Sequence, residues 1–187
     1  MLFRSTVFEI KSERDTLARL ERQISNYQGV FASVVVIVGE NHVSAVAKAT
    51  PRDVGVLSLS KRYQISTVRE AVDRPGRICP ATVFDSLRIG EAKEILLRLG
   101  HEIPSLPNTE MHAALRTSFG TLRPDEVHEA MLVTLKKSRS LAKLSSLVDR
   151  LPMSLQPAAL CVQLRKMDRE KLVAALEIPL RQAAGWA

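Results

Sequence analysis

The run Glu9-Ile10-Lys11 places a carboxylate and an ammonium two residues apart. If the segment is a strand, Glu9 and Lys11 project from one face and Ile10 is expected to point from the other, into the core. A hard cation such as Mg²⁺ or Mn²⁺ takes carboxylate, carbonyl and water oxygens. A lysine beside it can orient a metal-bound water or stabilise the charge that builds on an attacked phosphate. That chemistry is phosphodiester hydrolysis. Spacing alone does not select it: Glu91-Ala92-Lys93 repeats the pattern inside a helical stretch, where the two side chains do not face each other. A strand-end salt pair is the plain alternative for Glu9 and Lys11.

The elements that would position these residues follow from periodicity. Val7 to Lys11 is short and β-rich. Arg14 to Phe31 carries Leu17, Leu20, Ile24 and Tyr27 at helical spacing, with Gln23 and Tyr27 four apart on one face. Ala32 to Gly39 is a nearly continuous β-branched run suited to a strand buried on both faces. A second helix is expected over Asn41 to Ala49, stopped by Pro51, and Gly55 to Ser60 reads as another strand. The order β-α-β-α-β implies a parallel or mixed sheet with packed helices. Lys61 to Pro80 reads as the transition out of the sheet. Beyond it helices are expected over Ala81 to Leu99, Thr109 to Phe119 capped by Asn108, Pro124 to Ser138, Ser140 to Leu151 and Gln156 to Leu176. The division implied is an α/β core over 1–78 and a helical region over 79–187.

The wider context of the motif is Glu9-Ile10-Lys11-Ser12-Glu13-Arg14-Asp15-Thr16-Leu17, then Gln23 and Tyr27, then the Val34 to Gly39 strand. This resembles the PD-(D/E)xK nuclease superfamily, and within it a small bacterial family carrying E-I-K-S-D-x-D-T-L, a Q-x-x-x-Y helix and a V-V-x-G strand. The resemblance covers Val7 to Arg139. It implies a truncated restriction-endonuclease-like fold, a mixed sheet with flanking helices followed by an all-helical C-terminal half. It also implies a metal-dependent nuclease: Glu9 as metal ligand, Lys11 as catalytic lysine, and Gln23 and Tyr27 lining the site. The superfamily's aspartate from the preceding strand has no counterpart, because no acidic residue precedes Glu9. Three alternatives follow. A longer reading frame supplies the aspartate; the metal site has been lost, leaving Mg²⁺ or Mn²⁺ weakly held or absent; or Glu13 or Asp15 substitutes. The alternative function is a non-catalytic nucleic-acid-binding or protein-interaction domain.

Composition bounds the rest. The 27 basic residues exceed the 20 acidic ones, a formal charge of +7. That excess suits a nucleic-acid partner; DNA is expected ahead of RNA alongside the nuclease resemblance, not from the charge. Lys136, Lys137, Arg139 and Lys143 form the densest basic group, expected either to face phosphate or to solvate a helix end. Aromatic residues make up only 4%, too few for an extended base-stacking platform. The longest apolar run, Val34 to Val38, falls far short of a membrane span, and the early charges leave no room for a signal peptide, so a cytoplasmic location is expected. His42, His101, His112 and His128 lack ligand spacing, and Cys79 and Cys161 read as inert buried thiols. Asp15 is expected to cap the helix it opens, and Glu13 to be solvated. Loss of the outer strands would leave the first strand with an unpaired edge, open to homodimer formation.

Overall fold

Three short apolar runs separated by short helical segments become three parallel strands: β1 (Thr6–Lys11), β2 (Ser33–Gly39) and β3 (Gly55–Leu59). In this computed structural model the described residues are 5–139, 147–162 and 165–178. They fall in two compact units, Met1–Ser138 and Arg139–Ala187. The chain is α/β: a mixed four-stranded sheet with flanking helices, then a helical C-terminal half.

Helices α1 (Leu20–Gln28) and α2 (Val43–Ala49) make the two crossovers. Because the strand order β1-β2-β3 advances in one direction, crossovers of one hand put both helices on the same face. There Leu20 and Ile24 of α1 and Val46 of α2 close over Val34, Val36, Val38 and Val56. Burying each such side chain fully contributes about 1.5–3 kcal/mol. Helix α1 begins six residues later than periodicity suggests. The Asp15 carboxylate accepts the Ser12 amide at 2.7 Å and the Asp15 amide donates to the Ser12 carbonyl at 3.1 Å, closing a separate turn. Asp15 therefore caps this turn and not the helix.

Residues 61–64, expected to lead out of the sheet, form a hairpin to a fourth strand, β4 (Ile65–Arg69), antiparallel to β3. The Tyr63 amide donates to the Ser60 carbonyl, and Tyr63 itself has φ +58°. A three-residue hairpin loop of this kind asks for a left-handed residue at its end, usually glycine. Tyrosine there costs about 1–2 kcal/mol and hides the turn from sequence inspection. Arg69 then fastens β4 to the helix layer by donating to the carbonyls of Val54 (2.7 Å) and Ala47 (3.1 Å) and to the Thr50 hydroxyl.

Alternation along β1 is as expected, but the faces are reversed. Glu9 and Lys11 lie on the helix-covered side, whereas Ile10 is 64% exposed and Phe8 55% exposed on the opposite face. In β2, Val35 and Ile37 point to that same face, Val35 buried and Ile37 half-buried. Ile10 is thus not a core residue. The reversal follows from α1, which offers Gln23 and Tyr27 to the buried polar pair.

The remaining helices of the first unit are α3 (Pro80–Asp85), α4 (Ile89–Arg98), α5 (Asn108–Gly120) and α6 (Pro124–Ser138). The single helix expected over Ala81 to Leu99 breaks after Asp85. The Ser86 hydroxyl donates to the Val83 carbonyl, and the Arg88 amide donates to Glu91, starting a new helix. Asn108 lies inside α5, whose N-cap is Pro107. In the second unit the expected Gln156 to Leu176 helix is two, Gln156–Cys161 and Lys166–Glu177. The Ser140 to Leu151 helix lies largely outside the described residues.

Helices α3 to α6 form their own core around Phe84, Ile95, Leu115, Phe119 and Met131, joined to the sheet unit by Val30 and Phe31 just before β2. The Cys79 amide donates to Gly29 and the Arg74 amide to Ala32. Ser5 adds a buried link: its hydroxyl accepts the Ala32 amide at 3.0 Å and lies 2.7 Å from His128 Nε2 on α6. All of these ties sit at the amino-terminal end of the parallel strands, so they leave the carboxyl end unoccupied by their own contacts. Burial pushes the His128 pKa down. The unfolded chain therefore binds more protons below about pH 6.5, and stability falls as pH drops from there. Denaturant unfolding at about pH 7 and pH 5 is expected to show this loss, and His128→Gln to reduce the pH-dependent part.

Candidate functional site

Glu9 and Lys11 come from one strand, Gln23 and Tyr27 from the helix above it, and the fold brings all four together. Lys11 Nζ lies 2.9 Å from Glu9 Oε1 and donates to Gln23 Oε1 at 3.0 Å. Gln23 Nε2 donates to Glu9 Oε1 at 2.9 Å, and the Tyr27 hydroxyl donates to Glu9 Oε2 at 2.7 Å. Each link needs its sequence spacing: two residues along β1 to share a face, four along α1 to stack over it. Burial pushes the Glu9 carboxyl up, but the hydrogen bonds from Lys11, Tyr27 and Gln23 and the Lys11 charge outweigh it and hold the pKa below the ordinary value. Burial, with the Glu9 hydrogen bond and charge, raises the Tyr27 phenol. Glu9 is ionised and Tyr27 neutral near neutral pH.

Both Glu9 oxygens already accept hydrogen bonds, and among the described residues no group of three His, Cys, Asp or Glu side chains could hold a metal. Glu13 and Asp15 are exposed. His128 is engaged with Ser5, and His112 packs edge-on against Phe84 with centroids 4.9 Å apart. Cys79 is exposed, not buried, because it stands at the cap of α3 and not inside it; hydrogen bonds from Thr82 lower its thiol pKa. The Cys161 side chain lies outside what is described.

The profile of the family described as Bacteriophage P4 protein cII matches residues 3–153. The chain belongs to that family. Protein cII of Enterobacteria phage P4 is 28% identical over 141 residues, 75% of this chain and 47% of the relative. The chain thus spans about half the length of the curated relative it matches. No solved structure matches it. This membership corrects the sequence-level reading: the chain is a cII-family protein and not a member of the PD-(D/E)xK nuclease superfamily, and the nuclease activity and magnesium dependence inferred from that resemblance fall with it. Here the E-x-K and Q-x-x-x-Y spacings go with a hydrogen-bonded polar cluster, a geometry that does not by itself specify hydrolysis.

The expected basic group is described only in part. Lys137 pairs with Glu94 at 2.9 Å, Arg139 also has an interaction partner, and Lys143 lies outside the described residues, leaving Lys136 exposed. A different cationic place was missed. At the carboxyl end of the parallel strands a groove of about 400 Å³ is lined by Lys11, Arg14, Lys61, Tyr63 and the apolar Ile10 and Leu59. Glu13 is the carboxylate on its rim. Gly39 permits this arrangement, since a Cβ there would lie 2.6 Å from Glu13 Cγ. The sequence signal was Lys61-Arg62-Tyr63, two cations and one of two tyrosines in a turn between β-rich runs. Among the described residues no helix is long and apolar enough to cross a membrane.

The polar cluster is expected to act as a structural clamp. Lys11→Met, which leaves the Glu9 charge without its cation, should lower unfolding free energy by about 2–4 kcal/mol in urea titrations, whereas Glu9→Leu/Lys11→Met should recover about half of that. The Glu9 contribution is present above the unfolded carboxyl pKa, about 4.3, and is lost as pH falls through its depressed folded value.

Proposed function

We propose that this chain is a non-catalytic nucleic-acid-binding module whose contact surface is the carboxyl end of its parallel strands. The observation that carries the reading is the grouping of Arg14, Lys61 and Arg62: all are exposed there, and none has a carboxylate partner among the described residues. Several exposed cations elsewhere are matched, as in Arg77 with Asp53, Arg116 with Asp85 and Arg123 with Asp125, although Arg22, Lys48, Arg52 and Lys136 are exposed without a salt bridge among the described residues. Arg14, Lys61 and Arg62 stand at that end with the exposed carboxylates Glu13, Asp15 and Glu40, and it is as unpaired donors that the three cations would contact a phosphate backbone and release its counterions.

Binding of labelled DNA and RNA oligonucleotides, read by fluorescence anisotropy in a chelator, is expected to weaken linearly in log–log salt plots. The slope should be about 0.7–0.9 per phosphate contacted. Arg14→Glu/Lys61→Glu should weaken binding by about tenfold or more and flatten that slope. Absence of binding, or binding indifferent to salt, would remove this reading.

A second reading, compatible with the first, rests on the outer edge of β1, which no described strand pairs. A second copy is expected to pair there antiparallel about a two-fold axis. Antiparallel neighbours must share a face, so the pairing sum is even, and a two-fold axis at Phe8 sets Phe8 against its equivalent and Ile10 against Thr6. An axis at Glu9 would oppose two carboxylates. Light scattering is expected to give a dimer that Phe8→Lys dissociates; a monomer at every concentration would exclude it.

A further inference from the structure

We propose that the groove at the carboxyl end of β1 to β3 takes a single unpaired nucleotide, its base stacked on Tyr63 and its flanking phosphates held by Arg14 and Lys61. The inference rests on the nucleic-acid-binding reading and adds the site and the state of the bound base.

Tyr63 carries the argument through three properties. It is 88% exposed, so its ring is supported by almost nothing in the folded chain. It occupies the left-handed position of the β3–β4 turn, at φ +58°, the only non-glycine residue among those described to do so. Glycine or asparagine would suit that position better, which makes an aromatic ring there a burden on the fold with no packing in return. Strain retained at an exposed position points to use by a ligand. The ring also stands at the mouth of a groove whose volume, about 400 Å³, lies in the range of small-ligand sites.

The neighbours define the ligand. Ile10 and Leu59 line the groove with apolar surface, and Arg14 and Lys61 bring positive charge to it. A flat apolar ring joined to an anion matches this set. Within a duplex each base is already stacked on its neighbours, and its faces cannot reach Tyr63; an unpaired base can. One ring supplies one stacking position, which agrees with a chain too poor in aromatic residues to track a long single strand.

The test uses the full chain and three labelled DNA duplexes: fully paired, with one bulged thymidine, and with an abasic residue at the bulge. The bulged duplex should bind about fivefold to a hundredfold more tightly than either other, the range one base–aromatic stack supplies. Tyr63→Phe should keep that preference. Tyr63→Gly should abolish it while paired-duplex binding persists and the unfolding midpoint equals or exceeds the parent's, since glycine relieves the turn. Equal binding of the bulged and abasic duplexes, or a preference that survives Tyr63→Gly, would overturn the assignment and leave nucleic-acid binding standing. Failure of the parent to bind any of the three would remove both.

Discussion

A carboxylate brought under a helix must be fully partnered, and the first unit is arranged around meeting that demand for Glu9. Its side chain is about one-eighth exposed, with Lys11 from its own strand and Gln23 and Tyr27 from α1 on its two oxygens. An unpaired buried charge costs several kcal/mol, so these four groups fix the rotation of α1 and its height over β1. The apolar contacts of Leu20 and Ile24 with β2 are indifferent to small slides of a helix; directional hydrogen bonds are not. The same demand turns Phe8 and Ile10 outward, because a strand that gives its covered face to Glu9 and Lys11 has only the other face left for them.

Where the helices attach decides which end of the sheet is available. The links through Ser5, Gly29, Ala32 and His128 gather at the amino-terminal end. The carboxyl end, where the chain leaves β1 and β2 and turns from β3 to β4, keeps its loops free of that helical core. In open α/β sheets this is the end at which ligands are bound, since strand ends and crossover loops form a crevice there. Here the loops supply Arg14 from one side and Lys61 to Tyr63 from the other.

Much of this was readable in the residues. The short apolar runs marked the three parallel strands, and the spacings put Glu9 with Lys11 on one strand face and Gln23 with Tyr27 on one helix face; that the two pairs meet was implied by the nuclease resemblance and not by the spacings, which equally allowed a solvent-facing helix edge. Their chemistry was not readable, because spacing states which groups share a face and not whether lone pairs are left over for a metal. The inverted face of Ile10 escaped since hydrophobic pattern alone assigns an isoleucine inward, and only the polar face of α1 reverses it. Strand β4 escaped because its turn carries tyrosine where glycine is the usual marker, and the break after Asp85 because hydroxyl and carboxylate caps cut a helix without proline or glycine.

The contact proposed for this protein is between nucleic acid and the carboxyl end of its sheet. Its most direct measurement is amide chemical-shift mapping of the ¹⁵N-labelled full chain titrated with a short DNA oligonucleotide. The largest shifts are expected at Arg14, Gly39 and Ser60 to Gln64, with α6 unmoved. Shifts centred on Lys136 and Lys137, or none anywhere, would contradict it.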